Sequence, residues 1–277
     1  LEGGKMMKLE YLLLALAGGG LGSLIGGIQI FIITGFVGLV AVLGNHGLLL
    51  HFHTQPLLIP AVIFNGAVVA TAYASKKYQI KGFDISKPLI FTGDPLVFIF
   101  GALGGLIGYC LLILATKLKL PFDAGAFSIV MVGTCTRFIL GSKQLYNHRG
   151  IVFLEEGDKR YWIYLVLFAL SISFLTGYLT KITKYYSLGF SLSAFSLVFS
   201  LSDSRFPATH HITLIAGYAM MYTHDILLTL LFGVLAAAIC DMFARVFNSE
   251  CGTHIDPPCV SILVCSFLIF LLFKGLF

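Results

Sequence analysis

The stretch that decides the fold is Tyr11–Gly44, YLLLALAGGGLGSLIGGIQIFIITGFVGLVAVLG, which contains no Asp, Glu, Lys or Arg. A membrane-crossing helix takes ~20 residues, so this run is long enough for about two. The rest of the chain follows suit. Of 277 residues, 58% are hydrophobic and 11% charged, against about 25% charged in an ordinary soluble domain. The mean hydropathy is +0.94. So few charges cannot cover the surface of a soluble fold. Disorder, a coiled coil, a collagen and a small disulfide scaffold are excluded by the same composition. A transmembrane barrel needs alternating segments of about ten residues, and the long unalternating runs do not supply them. The sequence therefore predicts an all-α polytopic membrane protein, with any chemistry inside the bilayer or at its surface.

Working outward, the glycines from Gly18 to Gly27 supply the natural break, and a helical hairpin is expected over 11–44. Residues 45–56 form a loop with His46, His51 and His53. Further apolar segments are expected at 57–75, 88–118, 122–141, 161–180, 187–201, 209–223, 225–246 and 259–277. The total is about ten. Thr92-Gly93-Asp94-Pro95 interrupts the fourth, and Lys119-Leu120-Pro121 breaks the chain before the fifth. The longest polar stretch, 142–160, is the linker. The organisation read from this is an N-terminal tail (1–8), a first membrane repeat (9–141), the linker (142–160) and a second membrane repeat (161–277). Leu1–Lys5, ahead of Met6 and Met7, reads as an added extension.

The two halves carry matching landmarks. Pro56-x3-Pro60…Asn65-Gly66-Ala67 aligns with Pro207-x3-His211…Ala216-Gly217-Tyr218. Gly93-Asp94…Phe100-Gly101-Ala102-Leu103 aligns with His224-Asp225…Phe232-Gly233-Val234-Leu235. Leu120-Pro121-Phe122-Asp123 aligns with His254-Ile255-Asp256-Pro257. The first half merely carries a longer basic loop before Asp94. Five segments per half is an odd number, so the halves lie in opposite orientations, as in many transporters and channels. Loop 76–87 has four Lys, and the linker has Lys143, Arg149, Lys159 and Arg160. That end is placed in the cytoplasm of a plasma membrane by the positive-inside rule. Lys117, Lys119, Lys181 and Lys184 then fall outside, against the rule.

A charge in hydrocarbon costs ~2.5–3.5 kcal/mol on insertion scales, which makes each intramembrane ionisable group a functional candidate. Asp123 and Asp256 stand beside prolines at the start of an apolar segment, one in each half. Each can cap a helix, and each can mark a broken or re-entrant helix bordering a watery path. Asp94 and Asp225 open helices in the same way. Asn65, His210 and His211 are polar companions along the same pathway. Asp241 and Arg245, four apart, can pair on one helix, and Arg137 near the end of its span can snorkel. The glycine-rich faces suit close helix packing.

No His-Glu-x-x-His, Gly-x-Ser-x-Gly or Walker motif occurs, so no catalytic role is expected. The lone Gly93-Asp94 is half of the aspartyl intramembrane protease motif and lacks the glycine two residues before it. The basic residues sit in connecting loops, which excludes nucleic acid as a partner. No disulfide framework is implied by the six cysteines. The leading expectation is a secondary transporter or channel for a small solute or ion, with the pathway between two inverted repeats. H+ or Na+ is the coupling ion, and assembly as a homo-oligomer is left open. The rival expectation is a membrane-embedded metal-binding protein or metalloenzyme using Cys251, His254, Asp256 and Cys259, whose imidazole, carboxylate and thiols are transition-metal ligands.

Overall fold

The computed structural model describes residues 8–44, 55–141, 145–148, 150 and 159–273. The expected tail and linker, and the loop histidines His46, His51 and His53, lie largely outside the described residues. The described residues are all-helical. They form α1 (Leu9–Ile25), α2 (Gly27–Leu43), α3 (Pro60–Ala74), α4 (Pro95–Lys117), α5 (Ala124–Leu140), α6 (Lys159–Thr183), α7 (Leu188–Ser196), α8 (His210–Thr223), α9 (Ile226–Phe243) and α10 (Pro257–Phe273). Of these, α4, α6 and α9 with its π-helical extension to Asn248 are long and apolar enough to cross a membrane. The others are shorter apolar helices.

Local chemistry sets the helix starts. Asp94 accepts from the Leu96 N–H ahead of α4, and Asp225 accepts from the Leu227 and Leu228 N–H groups ahead of α9. Each aspartate satisfies donors that the first turn leaves without partners. Pro95 and Pro60 occupy first-turn positions, where a missing N–H costs nothing. Residues with positive φ mark six of the junctions, in three matched pairs: Gly26 and Lys184, Gly93 and His224, Lys119 and Glu250.

Two sets of helices pack in the same way. Within the first, α1, α3 and α4 pack mutually and α5 rests on α3 and α4. Within the second, α6, α8 and α9 pack mutually and α10 rests on α8 and α9. The sets meet through α2 against α7 and α5 against α10. A central cluster draws on both sets, including Phe64, Ile129, Ile215, Phe232 and Ile262. The outer faces of α4, α6 and α9 expose Ile107, Leu114, Leu167, Phe174, Leu227 and Leu231.

The expected hairpin over 11–44 takes a different form. The helix runs straight through Gly18-Gly19-Gly20 and breaks only at Gly26, and α1 packs chiefly on α3 and α4 while α2 packs on α7. The glycines are contact points. A Cβ at Gly19 would strike the Gly101 carbonyl and sit 2.7 Å from the Gly105 Cα, and one at Gly105 would sit 2.6 Å from the Gly19 Cα. Close backbone approach, not chain reversal, is what these residues permit.

Arg137 does not snorkel. It is 3% exposed, on α5, and its guanidinium donates to the carbonyls of Leu145 (3.0 Å), Phe247 (2.5 Å) and Thr253 (2.5 Å). The connection between α9 and α10 folds back over α5, and its carbonyls take the donors that lipid headgroups or water would otherwise satisfy. Asp241 and Arg245 do pair, at 2.8 Å, with the Tyr161 hydroxyl also donating to Asp241.

Candidate functional site

Helices α5 and α10 run antiparallel, each starting against the middle of the other. The Asp123 N–H, at the start of α5, donates to Ser266 Oγ on α10 at 2.9 Å. At the start of α10, the backbone of His254 and Ile255 lies where a Cβ on Gly133 of α5 would be 3.1–3.3 Å away. The two contacts lie ten residues apart on α5, and Asp256 lies ten residues before Ser266, so Asp123 and Asp256 are separated by about 15 Å along the pair. Each helix has 17 residues and is about 25 Å long at 1.5 Å per residue, short of the ~30 Å hydrocarbon core. Staggered as they are, the pair extends for about 36 Å. Both aspartates fall inside that length. Midway between them sit the buried Ser128 and Ser261, which donate to the Gly108 and Ala236 carbonyls at 2.7 Å.

The two aspartates share a cap role but not an environment. Asp123 accepts from the Ala126 N–H (2.7 Å) and from the Tyr218 hydroxyl of α8 (2.6 Å). Residues 121–125 are all partly or fully exposed. Asp123 lines a cavity of about 360 Å³ with Tyr186, Ser187, Phe190, Ser191 and Tyr218. The wall draws on both helix sets, from Ile59–Ala61 and α5 on one side to α7, α8 and α10 on the other. The cavity reaches the surface at Tyr186, which is 41% exposed.

Asp256 is sealed. It accepts from the Cys259 N–H (2.8 Å) and faces His254 Nε2 at 3.3 Å. Residues 253–259 are all buried. The cover comes from the segment between α3 and α4: the Phe83 carbonyl meets His254 Nδ1 at 3.0 Å, and Gly82 lies against the Gly252 carbonyl. Phe64 packs edge-on against the His254 ring at 5.6 Å. The same segment ties down the start of α2, where the Gly27 N–H donates to the Ile85 carbonyl at 2.9 Å.

Of the other expected pathway residues, the structure brings none into the Asp123 cavity. Asp94 sits at the opposite end of the pair, between Lys77 Nζ (2.9 Å) and the Tyr78 hydroxyl (3.1 Å). The hydrogen bond from Lys77, with that from the Leu96 N–H, holds its carboxyl below the usual carboxylate range. Asp225 is exposed at the start of α9. Asn65 is wholly buried and ties α3 to α5 through Ser128 Oγ at 3.1 Å. His210 and His211 are buried at the start of α8, the former edge-on to Phe31 at 4.9 Å, and neither Nδ1 has a hydrogen-bond partner among the described residues.

Cys251, His254, Asp256 and Cys259 do not converge as a metal site. The Cys251 Sγ turns to the Ser249 carbonyl at 3.3 Å, while His254 is committed to Phe83 and Asp256. No group of three or more His, Cys, Asp or Glu side chains that could hold a metal ion occurs among the described residues. Tyr186 and Tyr218 were not singled out by the sequence, although a signal was present. Tyr218 occupies the matched triplet Ala216-Gly217-Tyr218 where the first half has Ala67.

The fold and site define an all-helical protein with at least three segments able to cross a membrane and a largely apolar cavity, holding one carboxylate, between two helix sets. The chain belongs to the family described as "Family of unknown function (DUF7973)", whose model matches residues 2–154 and 156–277. No curated protein and no solved structure matches it.

Proposed function

We propose that the chain is a polytopic membrane carrier made of two inverted five-helix repeats, α1–α5 and α6–α10, moving a small solute or ion along the axis between them. Three features support the repeat. Both sets pack by the same scheme, and they meet through equivalent helices. The positive-φ residues fall at equivalent junctions. The Thr92-Gly93-Asp94 turn is reproduced in detail by Thr223-His224-Asp225, where a threonine hydroxyl accepts from the aspartate N–H in both (3.3 and 3.1 Å). An odd helix count per repeat gives the halves opposite orientations in a bilayer, and the exposed apolar faces of α4, α6 and α9 then meet lipid. Lys76, Lys77, Lys81, Lys87, Lys159 and Arg160 gather at the linker end, which favours the cytoplasmic face of the plasma membrane for it.

One observation favours a carrier over a channel. The two equivalent aspartates occupy opposite states, Asp123 in an open cavity and Asp256 under a cover. Alternating access exchanges such environments by rocking one repeat against the other. A proton or Na+ bound at one carboxylate is the coupling ion in this reading. The test is uptake into proteoliposomes from a broad panel of solutes and ions, comparing wild type with Asp123→Asn and Asp256→Asn. Asn caps a helix about as well as Asp, so both variants should fold. Saturable uptake that falls at least tenfold in each variant is expected. Unsaturable single-channel conductance, or flux indifferent to both substitutions, overturns the proposal.

A further inference from the structure

We infer that the Asp123 cavity binds a small organic ammonium cation. The inference deepens the carrier reading and rests on it for the direction of argument, since it assigns the solute that the pathway takes. The cavity holds one carboxylate, and no Lys, Arg or His lines it among the described residues. The two bonds Asp123 receives, from the Ala126 N–H and the Tyr218 hydroxyl, are with neutral donors. An ionised carboxylate has about four acceptor positions, so lone pairs remain for a ligand. A carboxylate that faces a largely apolar cavity is matched best by a cation, and the described residues lining the cavity supply none.

The remaining wall decides which cation. Tyr186 and Tyr218 lie with ring centroids 4.9 Å apart and planes inclined at 34°, and Phe190 adds a third aromatic side chain. Ring faces attract cations, and cages of such rings recognise quaternary ammonium groups. Most of the other lining is hydrocarbon, including Ile59, Leu112, Ile129 and Ile262. A metal cation fares poorly there. Ca²⁺ asks for six to eight oxygen ligands and Mg²⁺ for a near-octahedral set, and a wall of this composition would strip water without replacing it. An ammonium carried on a few methyl or methylene groups asks for one carboxylate and apolar surface. The volume, about 360 Å³, lies at the small end of the ~300–1,000 Å³ range of ligand sites, which limits the ligand to a small molecule.

The site also has a clear division of labour. Tyr218 fixes Oδ2 of Asp123 through its hydroxyl, so the carboxylate presents one orientation to the cavity. Tyr186 stands at the exposed mouth, where its ring covers a ligand without contributing to the core. The matched position of Tyr218 in the first repeat is Ala67, so α3 offers Asp256 no tyrosine hydroxyl at that position, and its aromatic contribution there is Phe64 against His254. The two aspartates are therefore chemically distinct as well as differently exposed, and only the Asp123 side is built for an organic cation.

The test is equilibrium binding of radiolabelled choline to the full chain purified in detergent, with its uncharged carbon analogue, 3,3-dimethylbutan-1-ol, and NaCl as competitors. Saturable choline binding is expected, unaffected by equimolar NaCl and not displaced by the neutral analogue. Asp123→Asn, which keeps the helix cap, should weaken it at least tenfold, and Tyr186→Leu, at an exposed position, about three- to tenfold. No saturable binding, equal displacement by the neutral analogue, or wild-type affinity in Asp123→Asn each overturns the inference. The flux panel separates this from failure of the carrier reading. Transport of other solutes without choline binding removes only the ligand class, whereas choline binding without any flux leaves the site and removes the carrier.

Discussion

Replacing Arg137 by Met gives a measurement in which two readings of one residue diverge. Met has similar length and good helix propensity, so the substitution removes donors with little change in volume. In wild type the guanidinium reaches three carbonyls. Those of Leu145 and Phe247 belong to residues 43% and 39% exposed and can find water when abandoned. Thr253 is 0% exposed, so its carbonyl is orphaned at ~1–3 kcal/mol. Loosening of the connection it holds adds about one lost hydrogen bond, ~1 kcal/mol. A loss of ~2–4 kcal/mol corresponds to ~4–16 °C for a chain of this size at about 2–4 °C per kcal/mol. The assay is thermal unfolding in detergent followed with a thiol-reactive fluorophore. Buried Cys259 and Cys265 report unfolding over the constant background of exposed Cys110 and Cys135. A local readout is available too: Cys251, 5% exposed beside the held segment, should label faster at 25 °C in the variant. Arg137→Lys, a point charge without the planar fork, should fall between. Melting within ~2 °C of wild type, with Cys251 still protected, would refute the staple and restore a snorkelling arginine.

Further outcomes follow from the same geometry. Gly105→Ala should lower the melting temperature through ~1–3 kcal/mol of overpacking, because its Cβ meets backbone atoms of α1; unchanged melting would mean α1 and α4 do not cross this closely. Asp241→Asn combined with Arg245→Gln in a double-mutant cycle should show a coupling of ~0.5–2 kcal/mol, and strict additivity would mean the pair contributes nothing. For Asp94 the sign follows from a carboxyl held below its ordinary value of 3.8. Its contribution is present above that value and is lost as pH falls through the lower, folded value. The melting difference between wild type and Asp94→Asn should therefore shrink on acidification from pH 6 toward pH 3, and more so at low salt; a pH-independent difference would count against the Lys77–Asp94 pair.

Much of the helix inventory was legible because its signals are local. Apolar run length, the prolines at 60, 95 and 257, and the aspartates at 94, 123, 225 and 256 act within a few residues of themselves, and the helices begin where they stand. Long-range partners were not legible. Arg137 finds the Phe247 and Thr253 carbonyls more than a hundred residues away, and no periodicity near Arg137 announces them. Glycine was ambiguous in principle: Gly18–Gly22 and Gly26 have the same chemistry, and only packing against α3 and α4 decides that the former are contacts and the latter a break. The aspartate pair was found as a pair, but its inequality depends on the segment between α3 and α4, whose destination over α10 is a tertiary fact. The cysteines and His254 offered ligand chemistry without the convergence a metal needs, which spacing alone does not establish.

If the chain works as the proposed carrier, that covering segment has an energetic meaning. Were the halves interchangeable, the conformation with Asp123 open and its reverse would be equally populated. In the proposed carrier, the contacts from Phe83 to His254 and from Ile85 to Gly27 would form in only one of them. At ~1 kcal/mol each, two such bonds tilt the resting balance roughly thirtyfold. A carrier weighted in this way idles with one door ajar, and its rates of filling and emptying are unequal from the two compartments.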